Sequence, residues 1–232
     1  MTWFKNIIGL GAFVTGATFV ALQFEATRGF ALIAKGYASQ VVPEALTPTK
    51  ETLEATAHAT ALIEAAEAQI GVTLLYDGSY VGLDYPMGDV PRLRGVCSDV
   101  VIRAFRDGHG VDLQQAVHED MKQAFGTYPK IWGLKSTDRN IDHRRVPNLE
   151  TYFTRQNMRR THTQNPADYL PGDLVTWRLP GNLPHIGIVS DELSFDGTPL
   201  ILHNIGAGTR RDNILFAYEI SGHFRPRVTQ MN

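Results

Sequence analysis

Helical patterning fills the first part of this 232-residue chain and short β-branched runs fill the last part. That segregation restricts the fold more than any other feature. "KETLEATAHATALIEAAEAQ" (50–69) is alanine-rich and helical until Gly71 stops it, with Thr47 placed to cap and Pro48 at the first position. In "CSDVVIRAFRDG" (97–108), Val100, Val101, Ala104 and Phe105 recur at helical spacing, and Gly108 and Gly110 end the run. Asp112 with Gln115 reads as a capping box for a helix whose inner stripe is Leu113, Val117, Met121 and Phe125. A long loop from 126 to 147 leads to a short helix starting near Asn148. "DLVTW", "HIGIVS", "LILHN" and "FAYEI" follow, separated by Pro and Gly turns, as antiparallel strands are. "VTLLY", "DG" and "SYVGL" read as a separate, earlier hairpin. Helices first and a sheet second make an α+β chain, and the length favours one main domain.

A net charge of −2 offers no global field for nucleic acid, and no nucleic-acid partner is expected. The first residues differ from the rest. Residues 7–24, "IIGLGAFVTGATFVALQF", carry no charge, and a helix of that length rises about 27 Å, close to the hydrocarbon thickness of a bilayer. Lys5 precedes the run and Glu25 follows it, which predicts that the remainder crosses. The segment 1–24 is therefore expected to be a membrane anchor or a signal peptide, with 25–46 as connector and 47–232 as the folded domain. Export to the periplasm or the exterior follows, with a membrane contact through 7–24 if that segment is kept.

Export gives weight to Cys97, the single cysteine. In an oxidising compartment cysteines usually pair, so a lone thiol is either a buried hydrophobe or a group kept for its chemistry. The first turn of a helix offers unpaired N–H groups and the positive dipole end, both of which favour thiolate. Such a nucleophile needs a base and a group to orient the base. His185 opens "HIGIVS" and His203 lies in "LILHN", followed by Asn204; neighbouring antiparallel strands bring such side chains together. His58 reads as solvated, His109 and His162 as turn residues, and His118 and His223 as surface groups, whereas His143 in "NIDHRRVP" is harder to dismiss.

"LPGDLVTW", "HIGIVS" and "LILHN", following "GVCSDVVIRAF", resemble the NlpC-like cell-wall cysteine peptidases, which are papain-like enzymes. At a finer level, "GVCSDVVIRAF", "NIDHRRVPNL", "HIGIVSD" and "HNIGAG" resemble an exported bacterial family catalogued as a domain of unknown function. The resemblance implies a nucleophile helix packed on a small antiparallel sheet, Cys97 as nucleophile and His185 as general base. It implies His203 as the orienting group, with Asn204 as the alternative. A tyrosine before the nucleophile often adds an oxyanion donor there, which puts forward Tyr76, Tyr80 and Tyr85. Apart from the resemblance, arginine forks suit carboxylates, so His143, Arg144 and Arg145, with Tyr80, are candidate substrate contacts; the alternative is that Asp142 and the arginines tie the long loop to the domain. The expected substrate is a peptidoglycan peptide or another amide, without cofactor or metal. Val96, Cys97, Ser98 and Asp99 depart from the family, which usually has aspartate before the cysteine and serine-glycine after it. Rival readings keep the fold but transfer the acyl group to an amine or lipid, bind zinc through Cys97, His185 and His203, or bind wall peptides or a partner without catalysis. A regulatory protein is compatible with a wall hydrolase, although no residue points to one.

Overall fold

The structure, a computed structural model, describes residues 50–227, with side chains from 56 onward. Nearly all described residues belong to one compact unit, Thr52–Asn232. Thr47, Pro48 and the uncharged run 7–24 lie outside the described residues. Among the described residues no helix is long and apolar enough to cross a membrane.

This unit is α+β, as the segregated pattern predicts. Four α-helices, α1 (Lys50–Glu67), α2 (Cys97–His109), α3 (Leu113–Ala124) and α4 (Val146–Arg155), accompany a two-stranded and a six-stranded sheet. The small sheet pairs β1 (Leu75–Tyr76) with β2 (Arg94–Gly95). The large one contains β3 (Arg159–Arg160), β4 (Leu174–Leu179), β5 (Leu183–Leu193), β6 (Pro199–His203), β7 (Arg210–Asp212) and β8 (Glu219–Phe224). Its order is β3-β8-β4-β5-β6-β7, antiparallel at every pairing.

Period-2 alternation splits that sheet between two cores. Leu174, Ile186, Ile188, Leu202 and Phe224 face Val100, Val101, Ala104 and Phe105 of α2, Leu113, Val117 and Met121 of α3, and Leu149 and Phe153 of α4. Val175, Trp177, Val189, Ile201 and Ile220 face the other way, packing with Tyr169 and Leu215. Each fully buried aliphatic or aromatic side chain contributes about 1.5–3 kcal/mol.

Helix ends follow local chemistry. Gly110 ends α2 in the left-handed conformation at φ +67, donating to the Arg106 carbonyl. Asp112 caps α3 by accepting from the Gln114 N–H at 2.9 Å, but Gln115 does not complete a capping box. Its amide bonds Glu119 instead. The expected 72–83 hairpin does not form. Leu74 and Leu75 donate to the Leu93 carbonyl and Asp77 to that of Gly95, so the run pairs in parallel with β2. Asp77 meanwhile accepts from the Ser79 N–H and turns the chain away. "FAYEI" is strand only at its last two residues, because β8 continues through "SGHF".

Candidate active site

The first turn of α2 is clamped from two sides. Asp99 accepts from the Val96 N–H at 2.7 Å, satisfying one orphan donor ahead of the helix. Arg144, in the 3-10 turn Asp142–Arg144, forks onto Asp99 with both contacts at 2.9 Å, and both side chains are buried. The Ser98 hydroxyl donates to the Arg144 carbonyl at 2.7 Å. Cys97 is thus seated by the two residues that follow it. On the other flank, Asn204 donates to the Gly95 carbonyl at 3.0 Å and tethers the end of β6 to the residue before Val96.

The Cys97 thiol is 4% exposed, and its sulfur lies against the N–H groups of Ile186, Ser98 and Cys97. Contact with Ile186 places it beside the opening of β5, one residue from His185. His185 itself begins a chain of hydrogen bonds: His185 Nε2 to His203 Nδ1 at 3.0 Å, then His203 Nε2 to Asp212 Oδ2 at 3.0 Å. Gly187 makes room for it. A side chain there would strike Ile201, the Leu202 carbonyl and the His203 Cβ. Asp212 stands opposite Ile201 and Arg210 opposite His203, so Asp212 reaches His203 on the diagonal while Arg210 pairs with its carboxylate.

This order of partners dictates the protons. The carboxylate of Asp212 only accepts, so His203 carries its hydrogen on Nε2 and presents a lone pair at Nδ1. His185 must then donate from Nε2, which leaves its own Nδ1 unprotonated. The arrangement predicts a measurement. Nitrogen-15 NMR is expected to find both rings as Nε2–H tautomers, and Asp212→Leu to remove the preference at His203 and weaken it at His185. Unchanged tautomers in that variant would mean Asp212 plays no part in the relay.

Burial sets the resting charges. It pushes the Cys97 thiol up to about 11, against the N–H groups of Ile186 and Ser98 and with help from the Asp99 charge. The expectation of a helix-start thiolate is therefore corrected: desolvation outweighs the dipole. Burial also drives His185 down to about 3, with neighbouring His203 adding to the effect. His203 is lowered by burial, which Asp212 opposes. Thiol and imidazole rest neutral.

Of the three tyrosines, Tyr76 on β1 is the one whose hydroxyl is electrostatically coupled to Cys97. Its hydroxyl is raised to about 12 by burial, then by the charges of Cys97 and Asp99. Tyr80 is 60% exposed and bonds Asp138 and Asn140 instead. Tyr85 packs edge-on to His118. The substrate-facing role expected for the 143–145 triplet also changes. Arg144 is buried on Asp99, and the guanidinium of Arg145 lies 4.1 Å over the Trp132 ring. His143 is buried, pushed down to about 4 by desolvation, and its Nδ1 has no hydrogen-bond partner among the described residues. These three hold the loop. His223 is not a surface group: it is buried, bonded to Asp173 at 2.7 Å and stacked on Tyr169. Asn204 holds the loop ahead of Cys97, and His203 is the residue joined to His185.

Sequence reasoning missed Asp212. Its signal was the glycine-rich turn after "LILHN", which allows "RRD" to fold back beside His203.

Among the described residues no group of three or more His, Cys, Asp or Glu side chains converges as a metal site. Comparison with known proteins gives a relative and a family. The uncharacterized protein YijF of Escherichia coli (strain K12) is 54% identical over 181 residues, 78% of this chain and 87% of the relative. A solved structure, NlpC1 from Trichomonas vaginalis, aligns at 14% identity with a TM-score of 0.38, a likeness too slight to fix fold or function. That alignment covers 72% of this chain and 43% of the other. The family model for a domain of unknown function, DUF1287, matches residues 63–226, so the chain belongs to the DUF1287 family.

Proposed function

We propose that this protein is an exported, papain-like cysteine hydrolase that cleaves amide bonds in peptidoglycan peptides. The observation that carries the reading is the relay Asp212–His203–His185, which ends on an unprotonated ring nitrogen next to the strand position that touches the only thiol. The motif resemblance in "GVCSDVVIRAF" and "HIGIVS" supports the NlpC-like assignment. Export rests on the uncharged run 7–24, which lies outside the described residues.

The mechanism begins from the neutral pair. As the substrate carbonyl arrives, His185 Nδ1 takes the Cys97 proton and the sulfur attacks the carbonyl carbon. The new imidazolium donates from Nε2 to His203, whose own N–H is anchored by Asp212. The oxyanion accepts from the Cys97 N–H and the Tyr76 hydroxyl. Collapse expels the amine, which takes the proton from His185 and leaves a thioester. Water attacks the thioester with His185 again as base, and the acid departs as the thiol is restored.

Tyr76→Phe removes one oxyanion donor without touching the relay. It is expected to lower kcat by about 10²–10³-fold with little change in KM. Steady-state kinetics on a wall-peptide substrate check this, and an unaltered kcat would take Tyr76 out of the site. The function itself is tested by incubating the full chain with purified peptidoglycan and reading released fragments by mass spectrometry. New peptide termini are expected from the native protein and none from Cys97→Ala. Identical fragment profiles would refute the assignment.

A further inference from the structure

A cavity of about 530 Å³ opens between α4, the 129–131 loop and the β4–β5 turn. Its size suits a small ligand or one arm of a peptide. The site described above does not use it, yet the two meet along β5, where Pro184 of its rim immediately precedes His185. Pro184 stands opposite Arg178, and the next pair on the same face is Ile186 opposite Thr176. Ile186 is the residue whose N–H meets the Cys97 sulfur. Two residues of strand separate them by about 7 Å, so a substrate residue or two would bridge the distance.

Charge distinguishes this cavity. Three arginines, Arg155, Arg159 and Arg178, line it against a single carboxylate, Glu150. Arg155 is spent on Asp120 at 2.7 Å and Arg178 on Glu150 at 2.8 Å. Arg159 has no carboxylate partner among the described residues. It stands opposite Phe224 on the helix-side face, its guanidinium 5.6 Å over that ring and one nitrogen 3.4 Å from the Ser221 carbonyl. A guanidinium held over an aromatic ring keeps its donor fork for an incoming anion, and a carboxylate matches that fork in shape. Pro129, Ile131, Pro147 and Pro184 supply apolar wall for the rest of the arm.

We propose that this cavity is a subsite for a free carboxylate on the substrate, read by Arg159, and that the substrate is therefore an acidic peptide. The proposal rests on the hydrolase reading and specifies its substrate class. The test uses the full chain carrying Cys97→Ala and two probes: a bacterial wall stem peptide with free carboxylates, and the same peptide with them amidated. Equilibrium binding is expected to favour the free form at least tenfold. Arg159→Gln in the same background is expected to bring the two affinities together, and Arg159→Lys to restore part of the difference. Equal affinities, a preference that survives Arg159→Gln, or binding of neither peptide would each overturn it. Turnover by the native protein separates the two claims. Equal cleavage of both peptides defeats the subsite and leaves the hydrolase standing, whereas Arg159-dependent binding with no cleavage of either does the reverse.

Discussion

Cys97→Ala and His185→Ala, made singly, are each expected to cut kcat on a wall-peptide amide by roughly 10⁵–10⁶-fold, with the double variant no slower than either. The non-additivity is the informative part. A thiol pushed up to about 11 and an imidazole pushed down to about 3 are both neutral at rest. In the proposed mechanism neither is a useful reactant alone: the sulfur becomes a nucleophile only as His185 takes its proton. Removing one partner removes the function of both. Two independent contributions would multiply in the double variant, and that outcome would contradict the coupled proton transfer. The resting charges also give the pH sense. The His185 base is lost only as pH falls towards 3, and the thiol ionises without help only as pH rises towards 11. Activity set by these two groups is thus flat through neutrality.

Arg144→Ala is expected to lower the unfolding free energy by about 3–5 kcal/mol, because it strands the buried Asp99 carboxylate without its counter-charge. Replacing Asp99 and Arg144 together with apolar residues is expected to cost less than the sum of the singles, since no uncompensated charge remains. Urea unfolding of the single and double variants checks both statements. A loss below about 1 kcal/mol for Arg144→Ala would mean the guanidinium is not committed to Asp99 and is free for other partners. The expected damage exceeds what an exposed ion pair gives, because both partners are withdrawn from water. It would also loosen the first turn of α2, so activity should fall in step with stability.

Much of this was legible before any coordinates. Helical spacing marked α2, because it buries one face, and short β-branched runs between Pro and Gly turns marked β4, β5 and β6, whose two faces each meet a core. Cys97 stood out as the single cysteine at a helix start, and His185 and His203 as imidazoles on neighbouring strands. What could not be read depends on contacts without a local pattern. Asp212 lies in a three-residue strand whose sequence, "RRD", looks like a solvated turn. Only the β6–β7 register brings it to His203. The parallel β1–β2 pair is two residues long, too short for alternation to show. Whether Arg144 tied the loop or faced substrate stayed open because the sequence does not reveal that Asp99, 45 positions away, is its partner. His223 sits in "SGHFRPR", polar by composition, yet β8 turns it onto Asp173. The thiol's upward shift was illegible too, since the helix start is visible in the sequence whereas the depth of burial is not.

The most direct test is the intact mass of the protein caught during turnover. The full chain is mixed with excess wall stem peptide, quenched in acid within the first turnovers, and weighed. An added mass equal to the acyl half of the peptide, mapped to Cys97 and missing from Cys97→Ala, is the expected result. Cleavage that proceeds equally in Cys97→Ala, or a native protein that neither gains an adduct nor cuts the peptide, would contradict the assignment of Cys97 as an acyl-forming nucleophile.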